Sequence, residues 1–80
     1  MKIKLKYFAS VAEAVGMSGE DMELQDDTIV SNLVEALKER FKGFEAMSNV
    51  IIAVNGAYVD PNTLLEDGDI VALFPPVSGG

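Results

Sequence analysis

Polar and apolar residues alternate strictly at the start of the chain. Residues 2–8 read KIKLKYF, so three lysines occupy one side while Ile3, Leu5 and Tyr7 occupy the other. A period of two predicts a half-buried β-strand. Continuing the alternation places Phe8 on the lysine side, which puts an aromatic ring on the outward face of this strand.

Two short elements are predicted next. Residues 9–15, ASVAEAV, are helix-prone and precede Gly16, a residue that readily ends a helix. A loop is expected over residues 17–21. Residues 22–25, MELQ, then predict a second strand that runs back beside the first.

The principal helix is predicted to begin at Thr28, which is a favourable residue at the N-cap position. Apolar residues recur at every fourth position after it, a spacing that predicts a helix with one buried stripe. The stripe consists of Ile29, Leu33, Leu37 and Phe41. Lys42 and Gly43 are expected to close the helix.

The rest of the chain carries strand and turn signals. Residues 50–54, VIIAV, form a β-branched run that predicts a strand, and Asn55-Gly56 predicts a tight turn into a short strand over residues 57–59. Residues 70–74, IVALF, predict the last strand.

This order of elements predicts an α+β fold of the β-grasp (ubiquitin-like) type over residues 1–76, a mixed sheet with one main helix packed on one face. The first and last strands are expected to pair in parallel at its centre. The last strand is apolar on both sides, but one helix can cover only one of them. Phe8 and Phe74 should therefore lie on a partly open apolar face, a feature that often marks a partner site. The alternative is that the loops fold over this face.

Composition excludes several kinds of chemistry. The chain has no His and no Cys, which removes the thiol nucleophile, the zinc–thiolate site and the commonest general base. Its net charge of −7 argues against nucleic acid and anionic membranes as partners. No signal peptide or bilayer-spanning stretch is visible, so we expect a cytoplasmic protein. The acidic residues Glu66, Asp67 and Asp69 are typical of a solvated turn, and we expect no bound metal or cofactor.

The sequence ends in PPVSGG at residues 75–80. Prolines cannot continue a sheet ladder and glycines have no side chain to pack, so residues 77–80 should form a flexible tail. Four residues span roughly 13–14 Å at full extension, which is enough to enter a narrow cleft. Gly79 keeps this tail thin, and the unhindered carboxylate of Gly80 could be activated as an acyl-adenylate.

Four segments carry a resemblance to a known family. They are KLKYFASVAEAVG at residues 4–16, VIIAVNG at 50–56, LLEDGDIVALFPPVSGG at 64–80 and, within it, the FPPVSGG ending at 74–80. Together they resemble the small subunit of molybdopterin synthase, a family of ubiquitin-like sulfur carriers.

The resemblance implies a carrier that is not catalytic alone. An adenylating enzyme similar to ubiquitin-activating enzymes would use ATP to adenylate the Gly80 carboxylate, and a sulfur donor would convert it to a thiocarboxylate. The tail would then enter the synthase large subunit, in a heterotetramer, and pass sulfur to a cyclic pterin precursor during molybdenum cofactor biosynthesis. The implied partner-binding residues are Phe8, Tyr58, Phe74, Pro75, Pro76, Val77 and Ser78. The resemblance leads us to expect an aliphatic residue where Tyr58 stands.

Two other functions fit the same pattern. One is a sulfur carrier for thiamine or tRNA thiolation, although thiamine carriers generally lack the short helix after the first strand and the FPP before the tail. The other is a ubiquitin-like protein modifier whose Gly80 is joined to lysines through an isopeptide bond.

Overall fold

A computed structural model describes residues 1–45 and 49–76 of the chain. This part contains five strands and three helices. They are β1 (Lys2–Tyr7), α1 (Ala9–Val15), β2 (Gly19–Glu23), α2 (Val30–Arg40), α3 (Lys42–Glu45), β3 (Ile51–Val54), β4 (Ala57–Tyr58) and β5 (Ile70–Phe74). No helix in these two ranges has the length and apolar character that a membrane span requires.

The five strands form one mixed sheet in the order β2-β1-β5-β3-β4. β1 and β5 run parallel at its centre, with Leu5 opposite Val71, and the other neighbouring pairs are antiparallel. The predicted central pairing of the first and last strands is therefore confirmed. The predicted β-grasp architecture is also confirmed.

The core lies between the sheet and α2. Every second residue of β1 is buried, as its alternation predicts, and so are the two inward residues of β5. Leu33 and Leu37 of α2 belong to the same core and pack from the helix side. The core members on the two central strands are Ile3, Leu5, Tyr7, Val71 and Leu73.

The prediction for the second strand was wrong in its bounds. β2 covers Gly19–Glu23, three residues earlier than the predicted start. Gly19, Asp21 and Glu23 face outward and only Glu20 and Met22 turn partly inward, so the hydrophobic signal is weak. Charged residues of this kind suit an edge strand, where they discourage pairing with other chains.

The predicted N-cap was also wrong. Ile29, not Thr28, stands at that position, and the Thr28 hydroxyl donates to the Gln25 carbonyl at 2.7 Å. The first N–H groups of α2 instead reach a distant loop. Val30 N–H donates to the Thr63 carbonyl, and Ser31 N–H donates to the Pro61 carbonyl, both at 2.9 Å. Main-chain acceptors from tertiary contacts thus replace the side-chain cap.

The predicted closure of this helix at Lys42 and Gly43 is corrected as well. α2 ends at Arg40 because Phe41 is extended, and the short α3 follows. The break allows Phe44 to enter the core, where it is 0% exposed. Gly43 also packs tightly on α1, since a Cβ there would lie 2.8 Å from the Ala14 carbonyl oxygen.

The hairpin between β3 and β4 follows the prediction closely. Its strands begin or end one residue inside the predicted ranges. Asn55 and Gly56 both have positive φ, 51° and 86°, which is the conformation that a tight two-residue turn requires. β5 coincides with residues 70–74 as predicted. The predicted flexible tail, residues 77–80, lies outside the described residues.

Candidate partner-docking site

In the part of the chain that the structure describes, no helix covers the face of the sheet that turns away from α2. Paired residues of neighbouring strands share a face, so the register identifies its members. We call this surface the open face. Its members are Gly19, Asp21 and Glu23 of β2; Lys2, Lys4 and Lys6 of β1 with the adjoining Phe8; Ile70, Ala72 and Phe74 of β5; Ile51 and Ala53 of β3; and Tyr58 of β4.

Two aromatic rings stack on the open face at the point where the two central strands end. Phe8 and Phe74 stack with 4.6 Å between their centroids and 9° between their planes. Phe8 continues the extended backbone of β1, and its N–H donates to the Leu73 carbonyl at 3.1 Å. The parallel pairing of β1 and β5 thus builds the stack. The predicted placement of both rings on one open face is confirmed.

Further apolar surface extends from this stack. Ile70 is 41% exposed, and Phe8 itself is 40% exposed. Tyr58 is 80% exposed and stands opposite Ala53 at the far edge of the sheet. The structure therefore brings Phe8 and Phe74 into contact and places Tyr58 on the same face, across β3 from them.

The chain leaves the sheet beside the aromatic stack. β5 ends at Phe74, after which Pro75 is half-buried and Pro76 is exposed. The other predicted contact residues, Val77 and Ser78, and the predicted reactive residues, Gly79 and Gly80, lie outside the described residues.

A polar network that sequence analysis missed lies beneath the open face. The Tyr7 hydroxyl donates to Glu20 Oε2 at 2.8 Å, and Arg40 Nη1 lies 2.9 Å from Glu20 Oε1. Burial, together with the hydrogen bond to Glu20, raises the pKa of Tyr7 above its ordinary value. Both effects disfavour the ionised phenolate, so the hydroxyl form that donates to Glu20 is favoured. The network links the end of α2, through Glu20 of β2, to the residue of β1 directly before Phe8.

A second network holds the opposite end of the central strands. Buried Asp69 accepts the Asn55 side-chain N–H at 2.9 Å and the Glu66 N–H at 2.8 Å, while Ile70 N–H donates to Asn55 Oδ1 at 2.9 Å. Asp67 accepts the Lys2 N–H at 2.7 Å. These carboxylates of the predicted acidic turn hold main-chain and amide donors, which fixes the start of β5.

A groove that the sequence did not predict lies between α2 and the β3–β4 edge. Val34, Lys38, Val50 and Tyr58 are among its lining residues. No periodicity in the sequence signals it, because it depends on how the helix sits across the sheet.

Known proteins similar to this chain share both its length and its fold. Residues 5–80 match the ThiS family. The molybdopterin synthase sulfur carrier subunit of Chlamydomonas reinhardtii is 35% identical over 83 residues, covering 100% of both chains. Small archaeal modifier protein 3 of Haloferax volcanii is 32% identical over 92 residues, again covering 100% of both.

Solved structures agree with these matches. Molybdopterin converting factor, subunit 1, from Pyrococcus furiosus has a TM-score of 0.89 and 38% identity, covering 96% of this chain and 99% of that one. A protein–protein complex of subunits 1 and 2 of the molybdopterin-converting factor from Helicobacter pylori contains a chain with a TM-score of 0.70 and 28% identity, with 100% of both chains covered. The resemblance identified in the sequence is thereby confirmed, and the chain belongs to the ThiS family, with molybdopterin synthase sulfur carrier subunits among its relatives.

Proposed function

We propose that this chain is a sulfur carrier that acts as the small subunit of molybdopterin synthase. The observation that carries the proposal is the position of the exposed Phe8–Phe74 stack directly before the segment that leads to Gly79 and Gly80. A docking surface and a reactive terminus are thus joined by only a few residues. The sulfur carrier subunits among its full-length relatives support the same function.

Docking is the task of the folded body. The Helicobacter pylori structure is a complex of subunits 1 and 2, and we infer that this chain binds a corresponding large subunit through its open face. Phe8, Phe74 and Tyr58 supply aromatic anchors of the kind that dominate binding energies at interfaces. The stack is formed before binding, so little side-chain freedom remains to be lost on docking.

The chemistry belongs to Gly80. A carboxylate oxygen would attack the α-phosphate of ATP on a ubiquitin-activating-enzyme-like partner, releasing pyrophosphate and leaving an acyl-adenylate. A donor whose sulfur is at the oxidation level of sulfide would then attack the acyl carbon, displace AMP and leave a thiocarboxylate. No Cys or His on this chain is required for either step, and the chain contains none. ATP is bound by the adenylating enzyme and not by the carrier.

Sulfur delivery would take place inside the large subunit. Pro75 and Pro76 follow the end of β5 and cannot continue its ladder, and Val77 and Ser78 would contact the walls of the cleft. The thiocarboxylate sulfur would attack a carbon of the cyclic pterin precursor and displace an oxygen substituent from that carbon. Water would then cleave the acyl–sulfur bond, which leaves the sulfur on the pterin and returns the Gly80 carboxylate. Substrate binding and acid–base catalysis are assigned to the large subunit, in a heterotetramer containing two copies of each chain.

Intact mass spectrometry tests this function. The chain is incubated with the adenylating enzyme, ATP and a sulfur donor, and its mass should rise by the difference between sulfur and oxygen. Deleting Gly80 should abolish the shift and leave the thermal unfolding midpoint unchanged, because the deleted residue is not expected to pack on the core. A loaded chain that fails to convert the pterin precursor with the large subunit would refute the molybdopterin assignment.

A protein modifier is the second candidate, favoured by the match to small archaeal modifier protein 3 over the full length of both chains. In that case Gly80 would form an isopeptide bond with lysines of target proteins. A ladder of high-mass conjugates in cells, lost on deletion of Gly80, would support it. Sulfur transfer to the pterin precursor without any ladder would support the carrier function alone.

A further inference from the structure

Half of the basic residues of this acidic chain lie on a single strand. The chain has 6 Lys and Arg against 13 Asp and Glu. Three of the six, Lys2, Lys4 and Lys6, are exposed residues of β1 on the open face. They form a basic row beside the aromatic stack in a molecule whose net charge is −7.

Lys6 differs from the other two lysines in its cross-strand neighbour. Lys2 stands opposite Glu23 and Lys4 opposite Asp21, so each has an acidic residue across from it on β2. Lys6 stands opposite Gly19 on that side and opposite Ala72 on the other. The ion pairs found within residues 1–45 and 49–76 are Met1 with Asp26 and Arg40 with Glu20, and neither involves Lys6.

The absence of a side chain opposite Lys6 is required by the packing. A Cβ added at Gly19 would lie 2.7 Å from the Leu5 carbonyl oxygen, so any larger residue would force the two strands to shift. The result is a shallow depression, which we call the Gly19 notch. Lys4, Lys6, Phe8, Gly19 and Asp21 are among its lining residues.

We propose that the Gly19 notch receives a carboxylate from the protein that docks on the open face, with Lys6 as its ionic partner. This inference rests on the proposed function, and it specifies the chemistry of the large-subunit surface that meets β1. Lys6 lies beside the aromatic stack of the open face, and charged residues typically form the rim around the apolar part of an interface. A charge there guides association and fixes register more than it adds affinity.

The surroundings favour one acidic side chain over a polyanion. Asp21 and Glu23 flank the basic row on β2, and the whole chain is strongly acidic. A phosphate-rich strand or a membrane of anionic lipid would be repelled by these charges along most of its length. A single Asp or Glu needs only the space beside Lys6, because the two acidic residues that line the notch have partners of their own. Asp21 stands opposite Lys4, and Glu20 is bound by Tyr7 and Arg40.

The test measures binding of the full chain to the molybdopterin synthase large subunit of the same organism. Lys6→Glu replaces attraction with repulsion, so Kd should rise about tenfold, mainly through slower association. Lys42→Glu makes the same charge change at an exposed residue of α3, outside the open face, and should alter Kd less than about twofold. Lys6→Arg should retain the wild-type Kd. Added salt should slow association of the wild type more than that of Lys6→Glu.

The outcomes separate this inference from the proposed function. Phe74→Ala, which removes half of the aromatic stack, is the control for docking on the open face. Equal binding by Lys6→Glu and Lys42→Glu, together with weaker binding by Phe74→Ala, would overturn the notch inference and leave docking on the open face intact. Unchanged binding by Phe74→Ala as well would overturn both. Wild-type binding to vesicles of anionic phospholipid that is lost in Lys6→Glu, without any change in large-subunit binding, would assign the basic row to a membrane and refute the inference.

Discussion

Replacing Phe74 by alanine should separate docking from folding. The ring is half-buried and stacks on Phe8, so the variant loses one aromatic pair and little of the core. We expect the free energy of unfolding to fall by about 1–2 kcal/mol, the value of such a pair together with its partly buried area. Loss of a central aromatic anchor typically costs about 2 kcal/mol or more of binding energy, which raises Kd roughly 30-fold.

Leu73→Ala is the matched control, one residue away on the same strand. Leu73 points to the opposite face and is 0% exposed, so its truncation should cost about 2–5 kcal/mol of stability. Binding by the folded fraction should be nearly unchanged. Urea unfolding followed by circular dichroism gives the stability, and calorimetric titration with the large subunit gives Kd. If Phe74→Ala lost as much stability as Leu73→Ala and bound like the wild type, the assignment of the two faces would be refuted.

Two further predictions concern the networks that hold the sheet. Asp69→Ala removes the acceptor of two donors, the Asn55 amide and the Glu66 N–H, and should lower the free energy of unfolding by about 2 kcal/mol. Asp67→Ala, which removes one exposed hydrogen bond, should cost less than about 1 kcal/mol, and equal losses in urea unfolding would contradict this account of Asp69. Burial raises the pKa of Tyr7 in the folded chain, so the unfolded chain releases the Tyr7 proton at a lower pH than the folded chain does. The contribution of Tyr7 to the free energy of unfolding should therefore decline as the pH rises above 10.0. Tyr7→Phe should weaken that decline, and identical pH profiles of the two thermal midpoints would show that Tyr7 does not cause it.

Strand alternation made most of the sheet and the stacked rings predictable. In β1 the pattern itself distinguishes the buried side from the lysine side, and Phe8 follows from extending it by one residue. β5 has apolar residues on both sides, which indicated that one helix could not cover it. The placement of Phe74 then required only the expected parallel pairing of these two strands.

The features that were not predictable depend on tertiary contacts. Thr28 has the local chemistry of an N-cap, but the carbonyls that accept from the start of α2 belong to Pro61 and Thr63. The break after Arg40 accompanies the burial of Phe44 in the core, a contact that the helical periodicity does not signal. Gly19 falls in the predicted loop. The need for a glycine there comes from the backbone of β1, which no local pattern signals. Neighbours in space, and not neighbours in sequence, determine each of these.

The central pairing of β1 with β5 has a consequence for biosynthesis. Lys4 stands beside Ile70 and Tyr7 beside Leu73, so the middle of the sheet joins segments from opposite ends of the sequence. Contacts this distant in sequence form late and slow the folding of a small domain. A nascent chain still lacking β5 has neither the ladder that supports Phe8 nor the second ring. The proposed docking on the open face would therefore require a chain that has left the ribosome far enough to pair β1 with β5.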